Sequence, residues 1–184
     1  GEHPFVVVGW YRLDFEAPAF SSGKKATLIF DGAMSHARVY INGQEAGFWP
    51  YGYNSFHIDA PPYFKAGEQN TLAVRLENET ESSRWYPGAG LYRNVHLIVT
   101  DKIHVPVWGT QITTPHVSKE FAAVRLQTRI DNAGEKTQIR METEILSPDG
   151  KVVTRKENTG RINHGQPFEQ NFIVNAPELW SPEN

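Results

Sequence analysis

Apolar and polar residues alternate at period two along most of this chain, the pattern of strands with one covered and one solvated face. Ala37, Val39 and Ile41 fall on one side and Arg38 and Tyr40 on the other. The run ends at Asn42-Gly43, a pair suited to a tight hairpin because both central residues of its turn need positive φ. Leu72, Val74 and Leu76 alternate with Arg75 and Glu77, and Val95, Leu97 and Val99 with His96 and Ile98, the isoleucine predicting partial cover on both faces. Further along, Val124, Leu126, Thr128 and Ile130 alternate with Arg125, Gln127 and Arg129, and Ile139, Met141, Thr143 and Ile145 with Gln138, Arg140, Glu142 and Glu144. Ser147-Pro148-Asp149-Gly150 predicts a turn into a strand from Lys151 to Arg155, and another strand covers Phe168 to Val174. No segment has the period of an amphipathic helix, Pro61 to Gly67 amounting to one turn at most. Strands recurring with turn signals about every 8 to 15 residues predict an all-β chain of sandwiches.

A length of 184 residues suits two domains. Each would have roughly 90 to 100 residues and a modest core. The boundary is expected between Asp101 and Pro106, near Lys102, where one pattern stops and a new one opens with Trp108 and Ile112; the domains are then 1–101 and 102–184. Trp10 to Phe15 reads as a strand close to the start, and a first residue Gly1 rather than Met predicts a processed or truncated N-terminus. Near the other end, Pro177 to Pro182 is expected to bury Leu179 and Trp180. The second half shows six strand signals where a seven-stranded sandwich would close, which predicts an exposed edge and a missing last strand.

Net charge is −3 with a pI near 6.2, and no run of Lys and Arg interleaves with aromatics, so nucleic acid is not an expected partner. Disulfides, thiolate metal sites and cysteine nucleophiles are excluded because the chain has no cysteine. The longest apolar run, Phe5 to Val8, is four residues. A membrane helix needs roughly 20, so a membrane is not an expected partner either. No basic stretch leads into an apolar signal core, and the compartment stays open between bacterial cytoplasm and periplasm.

The densest chemistry lies in Ser83 to Val95, reading Ser-Arg-Trp-Tyr-Pro-Gly-Ala-Gly-Leu-Tyr-Arg-Asn-Val. Pro87 favours an extended, exposed loop before it, placing Arg84, Trp85 and Tyr86 where rings can stack on the C–H faces of a sugar and charge can bind its hydroxyls. Trp85 is open to a second role as an anchor at a domain interface. Arg93 is expected to be structural, in an ion pair or bonded to turn carbonyls, and Trp49, Tyr51 and Tyr53 form a second aromatic group for which packing is favoured over binding.

Other motifs point away from chemistry within the chain. Retaining glycosidases place two carboxyls about 5 to 5.5 Å apart, whereas Glu142 and Glu144, the nearest pair on one face, would sit roughly 6.5 to 7 Å apart on a solvated strand. Glu77, Glu79 and Glu81 are expected to be loop acids in a solvated charge run. The seven histidines are scattered, with His57 on the polar side of a strand, so no metal is expected. No cofactor motif, phosphate loop or serine elbow appears, and Asn78-Glu79-Thr80 matches a glycosylation sequon short enough to arise by chance.

The Ser83 to Val95 run closely resembles the signature near the end of the first domain of glycoside hydrolase family 2, the β-galactosidase, β-glucuronidase and β-mannosidase group. Gly9-Trp10-Tyr11-Arg12 with Phe15, then Phe30 through Tyr40-Ile41-Asn42-Gly43 to Gly47, then Gly67-Glu68-Gln69-Asn70 resemble its other landmarks in order, and Leu179 to Pro182 resembles a segment of its second domain. The resemblance covers essentially the whole chain. It implies a jelly-roll β-sandwich, incomplete at its N-terminus, followed by an immunoglobulin-like β-sandwich, with the catalytic carboxylates in a barrel domain that this chain lacks. It further implies carbohydrate as ligand, the missing C-terminal barrel as partner, and Asn78, Arg84, Trp85 and Tyr86 as the substrate-binding positions on the barrel's pocket rim. Oligomer contacts, as a homo-oligomer, are within what it implies. An acid that helps hold sodium in the larger β-galactosidases has no clean match at Glu79 or Glu81, in keeping with no metal. Two other roles compatible with the residues are a self-standing carbohydrate-binding module and a structural or adhesive tandem sandwich.

Overall fold

Strands make up the regular structure throughout. A computed structural model, describing residues 8–21, 23–78, 88–162 and 167–182, has sixteen strands and no helix among those residues. The chain divides into one unit ending at Asp101 and another starting at Lys102.

The first unit runs through β1 (Val8–Glu16), β2 (Lys25–Phe30), β3 (Ala33–Met34), β4 (Ala37–Ile41), β5 (Gln44–Trp49), β6 (Phe56–Asp59), β7 (Gln69–Glu77), β8 (Gly90–Leu91) and β9 (Val95–Thr100). One antiparallel sheet has the order β1-β7-β4-β5, a second has β6-β2-β9, and β3 pairs with β8. The chain crosses repeatedly between the sheets, which makes this unit the expected jelly-roll sandwich. Asn42 and Gly43 have φ of 50° and 81° and close the β4–β5 hairpin as their sequence requires. Ala37, Val39 and Ile41 are buried while Arg38 is exposed, and Leu72, Val74 and Leu76 are buried opposite them on β7. Leu28 and Phe30 of β2 and Phe56 of β6 meet this row from the other sheet. Phe30 is fully buried, its ring stacked on Phe56 with centroids 4.7 Å apart, and Trp49 adds a third layer 5.6 Å from Phe56.

A pair of side-chain amides, Asn42 and Asn70, ties the hairpin to the turn before β7. Asn70 is buried; its Oδ1 accepts from the Lys65 amide and Asn42 Nδ2, both at 2.9 Å, and its Nδ2 donates to the Lys65 and Glu68 carbonyls at 2.7 and 3.0 Å. Asn42 donates to the Tyr63 carbonyl at 3.0 Å and accepts from the Thr71 amide at 2.9 Å.

The second unit contains β10 (Ile103–His104), β11 (Thr110–Val117), β12 (Phe121–Arg129), β13 (Asp131–Asn132), β14 (Thr137–Leu146), β15 (Val152–Ile162) and β16 (Pro167–Asn175). It is the immunoglobulin-like sandwich: β11-β12-β16 form one antiparallel sheet, β14 and β15 a long hairpin, and β10 a short pair with β13. Fully buried Gln170 of β16 accepts from the Thr143 hydroxyl of β14 at 2.5 Å and donates to Asn158 Oδ1 of β15 at 2.9 Å, so one side chain bonds the sheet to the hairpin. On β14 the expected alternation holds, with Ile139, Met141, Thr143 and Ile145 half-buried and Gln138, Arg140, Glu142 and Glu144 exposed. Ile112 lies opposite buried Leu126 in the register yet is 65% exposed, so the inward side of β11 is open along its edge. Leu179 and Trp180, expected to be buried, are 40% and 84% exposed. The chain leaves β16 at Ala176, where φ turns positive and the amide bonds to the Glu120 carbonyl, and residues 177–182 do not return to the described core.

Candidate functional site

The loops of the first unit gather their chemistry at one end of the sandwich. There β2 and β7 finish and β4, β6 and β9 begin: Phe30 faces both Phe56 and Val95, Ala37 faces Trp49, and Arg38 faces Arg75. Of the four expected sugar-contact positions, Asn78 is half-buried directly after β7 at this end. Arg84, Trp85 and Tyr86 lie outside the described residues, as do Glu79 and Glu81.

Both stems of the Asn78 to Gly88 segment are fastened. On the outgoing side the Glu77 amide donates to the Ser35 carbonyl at 2.9 Å and the Ser35 hydroxyl donates to the Glu77 carbonyl at 2.8 Å. On the returning side Gly90 and Leu91 pair with Met34 and Ala33. Tyr92 then reaches across to donate its hydroxyl to the Gly52 carbonyl at 2.8 Å. Its ring occupies the space a side chain at Gly32 would need, a Cβ there falling 2.5 Å from Tyr92 Cζ. Ser35, Gly52 and Tyr92 are far apart in sequence, and only the period-two registers bring them together, so no local signal marks them.

Glu77, expected in a solvated loop, instead ends β7 with its carboxylate 2.8 Å from Arg75. The Arg75 hydrogen bond, then its charge, hold Glu77 below the usual carboxylate range. Asp14 is lowered chiefly by the Thr71 hydroxyl at 2.5 Å. At Asp59 burial works to raise the pKa, but the Lys25 ammonium at 2.8 Å and the Thr27 hydroxyl at 3.1 Å outweigh it and the net shift is downward. Depressed carboxylates contribute stability that is complete above their unfolded pKa and lost as pH falls through the folded value. The urea midpoint of this unit is therefore expected to stay level above about pH 5 and to fall below about pH 4. Urea titrations across pH check this, and an Asp59→Asn variant should show a shallower acid decline.

Several of the remaining sequence candidates make contacts within the fold. Glu142 and Glu144 both pair with Arg155 on the outer side of the β14–β15 hairpin, the latter at 3.7 Å. Arg93, expected to be structural, places its guanidinium 5.3 Å from the centroid of the Tyr92 ring, a cation–π contact. Trp49 turns inward as expected, and Tyr51 and Tyr53 beside it are 53% and 44% exposed, with their ring centroids 5.5 Å apart. An apolar cleft of about 350 Å³ opens between β1 and β9, lined by Tyr11, Leu13, Phe15, Val95 and Leu97 among others; its walls carry few groups able to bond a sugar hydroxyl.

Known protein families account for most of the chain. Residues 4–101 match the sugar binding domain of glycosyl hydrolases family 2, and residues 105–184 match a further domain of the same family. A β-galactosidase of Bacteroides ovatus is 39% identical over 177 residues, which is 94% of this chain and 21% of that protein. A β-glucuronidase of Formosa agariphila is 31% identical over 195 residues, covering 93% of this chain and 20% of its own length. Among solved structures, a family 2 glycosyl hydrolase from Bacteroides cellulosilyticus superposes with a TM-score of 0.91 at 33% identity, over 96% of this chain and 23% of that one. The chain thus spans about a fifth of the length of the curated relatives it matches. With more than half of its residues matched by the family's sugar-binding domain and the rest by the same family, the chain belongs to glycosyl hydrolase family 2.

Proposed function

We propose that this chain is the non-catalytic sugar-binding and immunoglobulin-like portion of a larger retaining glycosidase of carbohydrate metabolism, of the β-galactosidase type. In this reading the boundary between its domains lies near Lys102, and limited proteolysis should cut between Asp101 and Pro106. The catalytic carboxylates belong to a barrel outside this chain, and the Asn78 to Tyr86 segment lends the rim of that barrel's pocket. The observation that carries the reading is the fastening of this segment's stems by Ser35 and Tyr92, in a domain matched as sugar-binding. Rigid stems allow a loop to hold aromatic and charged groups at low entropic cost on binding.

The test uses the complete protein. Arg84→Ala and Trp85→Ala should each lower kcat/KM for p-nitrophenyl β-galactoside by about 10- to 100-fold, the loss expected of one charge-assisted hydrogen bond or one stacked ring. The melting temperature should stay close to that of the parent. The 184-residue chain alone should hydrolyse neither this substrate nor p-nitrophenyl β-glucuronide. Turnover by the isolated chain, or full activity in both variants, would end the proposal.

A further inference from the structure

We propose that Asn42 is a latent site of spontaneous modification, a succinimide-forming Asn-Gly pair that Asn70 and β7 hold shut, so that opening of the β4–β5 turn is recorded as an irreversible covalent change. Asn42-Gly43 is the chain's one Asn-Gly pair. Glycine carries no side chain to shield its own peptide nitrogen, so in this dipeptide the nitrogen can reach the preceding side-chain amide with least hindrance. In the reaction the Gly43 nitrogen gives its proton to hydroxide and bonds to Asn42 Cγ, the Cγ–Nδ2 bond breaks, and ammonia leaves with a proton taken from water. Water then opens the five-membered imide. Addition at Cγ gives aspartate, and addition at the main-chain carbonyl carbon gives isoaspartate, with the main chain rerouted through Cγ. Water is the co-reactant, and Gly43 is exposed to it.

The atoms that must meet are held apart. Ring closure brings Cγ to the Gly43 nitrogen, but Asn42 has φ of 50°, in the left-handed region where ψ is positive as well, and that torsion turns the next nitrogen away from the side chain. The leaving nitrogen is engaged twice, donating to the Tyr63 carbonyl at 3.0 Å and to Asn70 Oδ1 at 2.9 Å. Asn42 Oδ1 accepts from the Thr71 main-chain amide at 2.9 Å, and the Asn42 main-chain amide donates back to the Thr71 carbonyl at 2.9 Å, so the turn and β7 grip each other. Tyr63 also holds the second arm of the hairpin, its hydroxyl donating to the Glu45 carbonyl at 2.7 Å. Each of the three side-chain bonds to Asn42 shifts an opening equilibrium by about fivefold, and together they give roughly 100-fold protection. Once made, the change keeps the lock open: an aspartate at position 42 has an oxygen where Nδ2 was, facing the Tyr63 carbonyl and Asn70 Oδ1 with no hydrogen to offer.

The experiment incubates the complete protein at mildly alkaline pH, native and in urea, and follows by mass spectrometry the deamidation of the tryptic peptide that begins at Val39, with fragment ions separating Asn42 from Asn54. The native parent should modify Asn42 about 100-fold more slowly than the urea-unfolded chain. Asn70→Ala should raise the native rate about 5- to 20-fold, and Tyr63→Phe, which loses only its hydroxyl, about two- to fivefold. Phe30→Ala weakens the core but leaves every bond to Asn42 in place, and should stay within about twofold of the parent. A native parent rate within about threefold of the urea rate overturns the lock. So does equal acceleration by Phe30→Ala and Asn70→Ala, which would make global unfolding the gate. If Asn70→Ala does not fold, Tyr63→Phe set against Phe30→Ala decides the same question: faster modification in Tyr63→Phe alone supports the lock, and no acceleration there overturns it.

Discussion

Replacing Phe30 by alanine is expected to destabilise the first unit by about 3 to 5 kcal/mol, the range for truncating a fully enclosed aromatic side chain. Phe30 has no exposed surface, and its ring lies nearly parallel to Phe56, with planes 5° apart and centroids 4.7 Å apart. It belongs to the central strand of the β6-β2-β9 sheet and to the same buried cluster as Val39 and Val74 of the opposing sheet. Buried Leu28 and Phe56 are pinned by backbone pairing on the same sheet, so the vacated space would persist largely as a cavity. Urea unfolding followed by tryptophan fluorescence measures the loss, because Trp49 stacks on Phe56 beside the cavity and reports on this region. A change below about 1 kcal/mol would mean that the two sheets do not close on this ring.

How far the fold could be read from the chain depends on how local each cause is. Alternation on β4, β7, β12 and β14 is set by strand geometry, and the Asn42-Gly43 turn by backbone sterics, so both appear directly in the order of residues. Gln170 shares its parity with Phe168 and Phe172, and a lone amide in an apolar row is a readable sign of a buried polar link, though its partners Thr143 and Asn158 are not readable. The expected burial of Leu179 and Trp180 is not met because apolar character alone does not supply a covering surface. The candidate site divides in the same way. Asn78 comes directly after the end of a predicted strand, whereas the Ser35, Gly52 and Tyr92 fastening joins three loops that only long-range sheet registers bring together. Glu77 is an instructive case: its position two residues from Arg75 puts both on one side of β7, a spacing that already favours the ion pair found.

Asn70 should prove as costly to change as a large core residue, for a different physical reason. Alanine there would leave the Lys65 amide without its acceptor and the Lys65 and Glu68 carbonyls without their donors, and would release the Asn42 amide that reaches across from the hairpin. Each buried group left unpaired costs about 1 to 3 kcal/mol, and with partial access of water the expected net loss is roughly 2 to 4 kcal/mol. Asn70→Asp separates polar pairing from packing. It keeps the shape and the acceptor oxygen, but replaces a donor with a second oxygen facing two carbonyls. Burial and those carbonyls both disfavour the carboxylate, so the folded state would raise the pKa of this aspartate above its unfolded value. The sign is then opposite to that of Asp14, Asp59 and Glu77. For a raised acid, the folded state is best served below the unfolded pKa and loses stability as pH rises toward the folded one. The gap between Asn70→Asp and the parent should therefore be widest near neutral pH and should narrow as pH falls toward about 4, even while the parent itself weakens. Urea midpoints of the two proteins at matched pH measure that gap. A gap that does not change with pH would place the cost in packing and not in the amide's two donor bonds.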